Sequence, residues 1–253
     1  MPRQARKKSK SGIYHIMMRG INRQIIFEDE EDYLTFLQTL ERYKEQSGYE
    51  IYAYCLMGNH IHLLLKVDTE PLEQIMRRLC GSYVYWYNRK YQRVGYLFQD
   101  RFKSEVVEND RYFLTVLRYI HQNPLKAGLV NSIEEYQWSS LVEYMNIPKV
   151  VDSVFVLKLF DGNSEKAQES FIQFCKVASD DKCLEIEEKK LMTDPEASNV
   201  IQKVCRVEKA SDLQKLDKVS KNKYLQELKK EYHLSIRQIE RLTGINRGFV
   251  LKA

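Results

Sequence analysis

Two histidines flank one isoleucine in the apolar run MGNHIHLLLK, residues 57–66. In a strand, residues two apart face the same side, so His60 and His62 present two imidazoles together and Ile61 turns away. Neutral imidazole is a good ligand for divalent ions. The competing reading is two histidines on a solvated or hydrogen-bonded face. A second chemical pair lies in DRYFLTVLRYIHQNP, residues 110–124. There Phe113, Val116, Leu117 and Ile120 recur at helical spacing as a core stripe. Tyr119 sits on the flank of that stripe, beside Tyr112 and Thr115, and Asn123 follows one turn later. A tyrosine so placed either packs with its hydroxyl in water or, facing the His-x-His strand, acts as a nucleophile with Asn123 as a metal ligand. His121 is a nearby alternative ligand, although it lies about 200° round the helix from Tyr119 and points elsewhere. His15 either lines the same site or packs in the core.

These residues need elements to hold them. Gly12 to Arg19 reads as a strand rich in Ile, Tyr and Met. From Asp29 to about Gln46, Tyr33, Phe36, Leu37, Leu40 and Tyr43 repeat at three and four, which predicts a helix. Glu50 to Met57 and His60 to Val67 are strands around the turn residues Gly58 and Asn59, a hairpin. Pro71 opens a helix running to about Lys90. The Tyr119 helix starts near Asp110 as N-cap and is expected to end by Asn123, because Pro124 follows. This order predicts an α+β fold, an antiparallel sheet with flanking helices, over residues 1–147. Residues 148–253 read as a mainly helical C-terminal region. Within it, residues 234–253 have the outline of a helix-turn-helix: Ser235 caps one helix, Thr243-Gly244-Ile245 turns, and Asn246 caps a second.

Composition narrows the function classes. The chain has 253 residues, 43% of them hydrophobic, enough for one large or two small domains. No apolar run reaches the length of a membrane span. The start, MPRQARKKSKSG, reads as a basic arm (Arg3, Arg6, Lys7, Lys8, Lys10) or a solvated tail rather than a secretory signal. Five scattered cysteines without a C-x-x-C pair predict a reducing cytoplasm and no structural zinc site. A net charge of +5 fits an anionic partner. Residues 89–104, RKYQRVGYLFQDRFKS, supply both halves of a single-strand binder: Arg89, Lys90, Arg93, Arg101 and Lys103 for phosphates, and Tyr91, Tyr96, Phe98 and Phe102 for stacking on unpaired bases.

H-I-H in an apolar strand followed by Y-x-x-x-N on a later helix resembles the HUH endonuclease superfamily with a single catalytic tyrosine. More narrowly, the chain resembles the single-strand DNA transposases of bacterial insertion sequences and their REP-associated tyrosine transposase relatives. The resemblance is carried by YHIMMRG (14–20), MGNHIHLLL (57–65), GYLFQDRFKS (95–104), YIHQNP (119–124), AGLV (127–130) and WSS (138–140), in the family's order. It implies a ferredoxin- or RRM-like domain in a bacterial cytoplasmic protein, working as a monomer or a homodimer. It also implies His60 and His62 as the metal pair, Mg²⁺ or Mn²⁺ as the ion, and Tyr119 as the nucleophile. Arg19, at the end of YHIMMRG, joins the expected DNA contacts. Many members carry glutamine four residues after the tyrosine as third ligand; here the position is Asn123. The implied reaction is cleavage of single-stranded or hairpin DNA through a 5′-phosphotyrosine, which agrees with the lack of a Walker-type loop. The main rival is a non-catalytic DNA-binding regulator derived from such an enzyme. A histidine-triad hydrolase would need a third alternating histidine where Leu64 stands. A cupin would need a barrel, and an RNA-binding sheet would leave Tyr119 and the histidines without a role.

Overall fold

The computed structural model describes residues 6–161, 164–181, 183–184, 193–232 and 234–253. Its first unit, Met1–Ile186, contains a four-stranded antiparallel sheet. The elements run β1 (Ile13–Arg19), α1 (Glu30–Ser47), β2 (Glu50–Met57), β3 (His60–Lys66), α2 (Leu72–Lys90), β4 (Lys103–Val106) and α3 (Asp110–Lys126). Three further helices, α4 (Leu141–Met145), α5 (Ser153–Leu157) and α6 (Ser164–Lys176), complete the unit. The strand order is β2-β3-β1-β4. β1 and β3 are therefore central, paired with Arg19 opposite His60, Met17 opposite His62 and His15 opposite Leu64. Opposed residues share a face, so the histidines and Arg19 line one face while Met18 and Ile61 line the other.

The helices divide between the two faces. α2 reaches the Met18 face, where Cys80 Sγ lies 3.2 Å from Met18 Sδ. α3 covers the histidine face and brings Tyr119 against His62. Local chemistry sets the helix ends. Asp29 and Asp32 form a reciprocal capping box at the start of α1, and Gly48 closes it in the left-handed region at φ +67°. Asn109, rather than Asp110, caps α3, accepting from Tyr112 N.

Three expectations need correction. α3 does not stop at Asn123 but runs through Pro124 to Lys126. Proline removes a single backbone donor there, and the bond from Ala127 N to Asn123 O at 2.9 Å carries the helix on. Lys103 and Ser104, read as the end of a DNA-contacting segment, belong to strand β4 at the sheet edge, beside β1. The first unit ends near 186 and not near 147. Val150, Val151, Val156, Phe171 and Cys175 are buried in the same core as the strands. Asp152 also ties this segment to β2, with its backbone N–H donating to Ile51 O and its carboxylate accepting from Ile51 N.

The second unit, Glu187–Ala253, has its own core of residues that include Ile201, Leu213, Leu225, Leu228, Ile239 and Val250. Its helices are α7 (Asp194–Cys205), α8 (Lys218–Lys230), α9 (Ile236–Thr243) and α10 (Arg247–Lys252). Ser235 caps α9, Gly244 turns the chain at φ +71°, and Asn246 caps α10. The left-handed φ at Gly244 favours glycine there.

Candidate active site

β3 carries the histidine pair at its first and third positions, just after the Gly58-Asn59 turn. Their rings are 5.3 Å apart and nearly perpendicular. The turn residue Asn59 does more than reverse the chain: its Oδ1 accepts from His60 Nδ1 at 2.7 Å. That leaves His60 Nε2 as the lone-pair nitrogen. His62 is held from the other side, by β1. His15 Nε2 lies 3.0 Å from His62 Nδ1, and the two rings stack at 5.3 Å. When His62 donates in this bond, its Nε2 is likewise the free lone pair. Imidazoles held through Nδ1 with Nε2 free are in the state that metal ligation uses.

Burial keeps the three rings neutral. Loss of solvent lowers His15 to about 3. It lowers His60 to about 4, with help from the Arg19 guanidinium across the strand pair. His62 lies well below the usual histidine range because of burial, reinforced by its two histidine neighbours. All three are therefore uncharged at neutral pH.

Tyr119 stands edge-on to His62 at 5.7 Å and to His15 at 5.9 Å, ring centre to ring centre. The expectation that it flanks the core stripe understated its burial: it is 3% exposed and belongs to the core. Lys126 lies over its ring, 5.4 Å from the centre. Asn123, one turn on and half-buried, donates from Nδ2 to Tyr119 O at 2.9 Å, leaving Oδ1 as the end that could meet a metal. His121 points away, bonding Ser140 Oγ at 2.8 Å. Among the described residues, no three His, Cys, Asp or Glu side chains are grouped to hold a metal ion. A divalent ion here would thus rest on two neutral nitrogens and an amide oxygen, with phosphate or water completing its shell. The residues fit an ion held loosely and finished by substrate.

The structure separates the expected DNA contacts. Lys90 is engaged by Asp29 at 2.7 Å and by Glu31 and Asp32 at 2.9 Å, so its charge is already matched. Arg93 donates to Gln24 Oε1 at 2.9 Å and lies over Tyr87. Phe102 packs under the Arg6 guanidinium at 3.8 Å, and Arg6 also donates to Phe102 O, which docks that part of the basic arm. Phe98 is half-buried and bridges to Gly20. Arg89, Tyr96 and Arg101 are exposed. Lys103 is exposed on β4 opposite Met17, on the face that carries His62, and Arg19 faces His60. Sequence reasoning gave Asn59 no role in the site and left His15 between the site and the core. Alternation along β1 does place His15 on the Arg19 face, but only the strand register brings it to His62.

A four-stranded antiparallel sheet with His-x-His on a central strand, crossed on that face by a tyrosine-bearing helix, is the arrangement expected from the resemblance to the single-tyrosine HUH class. Residues 8–123 match the family described as IS200-like transposases. A candidate REP-associated tyrosine transposase of Haemophilus influenzae is 29% identical over 118 residues, 42% of this chain. The match spans 64% of that relative's length. A solved REP-associated tyrosine transposase, bound to a REP hairpin, aligns with a TM-score of 0.50 at 17% identity, over 60% of this chain and 94% of that one. At that identity the likeness shows the fold. No helix among the described residues is long and apolar enough to cross a membrane.

Proposed function

We propose that this chain cuts and rejoins single-stranded or hairpin DNA with Tyr119 as nucleophile. The observation that carries the reading is the Tyr119 ring lying against His62 and His15, within the IS200-like segment. In the step proposed, the Tyr119 oxygen attacks a backbone phosphorus as the bond from phosphorus to O3′ breaks. The phenolic proton passes to solvent and the departing 3′ oxygen takes one up. The products are a 5′-phosphotyrosine and a free 3′-hydroxyl, and attack by a 3′-hydroxyl reverses the step and joins strands. The covalent link conserves the phosphodiester bond, so no nucleotide cofactor is required. His60, His62 and Asn123 would hold Mg²⁺ or Mn²⁺, which when bound supplies polarisation of the phosphate.

Tyr119 is 3% exposed, so most of its ring is covered where a strand would meet its hydroxyl. Arg19, Arg101 and Lys103 are placed to meet phosphates, and Tyr96 to stack on a base. A hairpin is the first substrate to try because the solved relative is bound to one. The second unit supports a further DNA contact through charge. Of 40 basic and 35 acidic residues, it holds 15 and 10, leaving the first unit balanced at 25 and 25. We assign that contact to α9 and α10, whose exposed Arg237, Arg247 and Lys252 flank the Gly244 turn.

The test is a labelled hairpin from the DNA flanking the gene, incubated with Mn²⁺. Wild type should form a covalent protein–DNA adduct and Tyr119→Phe none; an adduct in Tyr119→Phe would show that the nucleophile is misassigned. His60→Ala or His62→Ala should stop cleavage while leaving most DNA binding. Binding without any adduct in wild type would instead favour a non-catalytic regulator.

A further inference from the structure

Outside the histidine face, a cavity of about 530 Å³ lies between α2 and residues 96–101. Ile21, Gly81, Val84 and Leu97 line it, with Tyr96 and Arg101 beside them. We propose that it receives an unpaired nucleobase from the strand held at the histidines, an inference that rests on the single-strand DNA reading above.

Three observations carry it. The cavity borders the sheet edge next to the site. Ile21 N donates to Leu97 O at 2.9 Å, and Gln99 N to Arg19 O at 2.8 Å. Residues 97–99 therefore extend the sheet edge past β1, whose Arg19 pairs with His60. Two strand spacings, roughly 10 Å, separate that edge from β3. A nucleotide near the scissile phosphate can thus turn round the edge and place its base on the α2 side.

The second observation is Gly81. It is exposed in the middle of α2, where glycine is the poorest helix former after proline. No contact within the structure demands it, since an added Cβ would meet nothing within 4 Å. The missing side chain leaves open helix backbone on the cavity wall, the arrangement suited to a flat ring that approaches closely.

The third is the rim. Tyr96, which lines the cavity, is 84% exposed, so a large ring stands in water. Tyrosine is a sequence-tolerant stacking surface for a base. The apolar wall meets the ring faces, Arg101 meets phosphate, and Gln99 offers an amide to the base edge.

The experiment compares oligothymidylate with an abasic strand of equal length, both binding the full chain. Wild type should prefer the strand with bases. Gly81→Phe, which fills the cavity, and Tyr96→Ala, which removes an exposed ring, should each cut that preference about tenfold. Equal binding of the two strands by wild type would overturn the proposal. So would a wild-type preference kept by Tyr96→Ala and by Gly81→Phe melting as wild type; if Gly81→Phe fails to fold, Tyr96→Ala alone decides. Tyr119 adduct formation is scored separately. Adduct with preference unchanged in the variants removes the base site and keeps the strand-transfer reading. Lost preference without any adduct keeps the base site and removes the strand-transfer reading.

Discussion

His15→Phe should separate metal affinity from stability. The substitution keeps a planar ring in a fully buried slot and removes the partner 3.0 Å from His62 Nδ1. Leaving that buried nitrogen unpaired costs on the order of 1–3 kcal/mol. His15 also carries a buried Nδ1 without a hydrogen-bond partner, and phenylalanine removes that liability, offsetting a similar amount. The net change in stability is therefore small, and at about 2–4 °C per kcal/mol for a unit of this size the melting temperature moves by a few degrees at most. Metal affinity has no such compensation. His62 loses the bond that fixes its ring and its tautomer, and loss of such a partner lowers metal affinity about 10–100-fold. The assay is titration of DNA-free protein with Mn²⁺, following free ion by electron paramagnetic resonance, beside a thermal melt. His15→Gln, which restores a hydrogen-bonding group, should recover part of the affinity. Unchanged Mn²⁺ affinity in His15→Phe, with a clear loss in His62→Ala, would refute the idea that His15 positions His62.

Acid should weaken the first unit through its buried histidines. His121 is held down to about 3 by burial, as is His15, whereas an unfolded histidine titrates near 6.5. The folded values are the lower ones, so this stabilisation is complete above about pH 6.5. Below that it falls by about 1.4 kcal/mol per pH unit for each such group, down to the folded value. Equal urea midpoints at pH 7 and pH 5 would contradict this. Lys90→Met should lower the melting temperature, because buried Asp32 loses its 2.9 Å partner, yet leave the salt dependence of single-strand binding unchanged. Lys103→Ala should do the reverse, reducing the slope of log K against log salt by about 0.7; the opposite pattern would exchange the two roles. Gly20→Ala should destabilise by about 1–3 kcal/mol, because the new Cβ overlaps the Gln24 carbonyl and crowds Ile26. Cleavage should fall with it, since Gly20 N bonds Asn59 O beside His60, and a variant with wild-type melting and cleavage would show that the turn yields freely.

Elements with a clear period were readable in the chain. The expected helix from Asp29 to about Gln46 is α1, and Glu50 to Met57 is β2 with the same limits. β4 was hidden because KSEV has neither apolar alternation nor length; pairing with Tyr14 through Met17 makes it a strand. The boundary near 147 fell short for a related reason. Asp152 and the α5–α6 side chains join the first core through contacts distant in the chain, and composition carries no trace of them. The fold classes of both units survived these errors because each rests on its longer elements.

The candidate site shows the same division between spacing and register. Period two is enough to put His60 and His62 on one face, and period 3.6 is enough to put Asn123 beside Tyr119. What holds each side chain in place comes from register and rotamer. His62 is bonded to a histidine forty-seven positions away, and His60 to its immediate neighbour Asn59. Asn123 is tied by its amide nitrogen to the carbonyl of Tyr119. That last bond bears on the shorter side chain at the third-ligand position. The amide reaches back along its own helix, so its oxygen is presented from the same turn that carries the phenol. A pull on Asn123 Oδ1 is thereby transmitted to the backbone of Tyr119. Were Asn123 to hold the ion as proposed, filling of the site would pull on the same turn that carries the buried tyrosine.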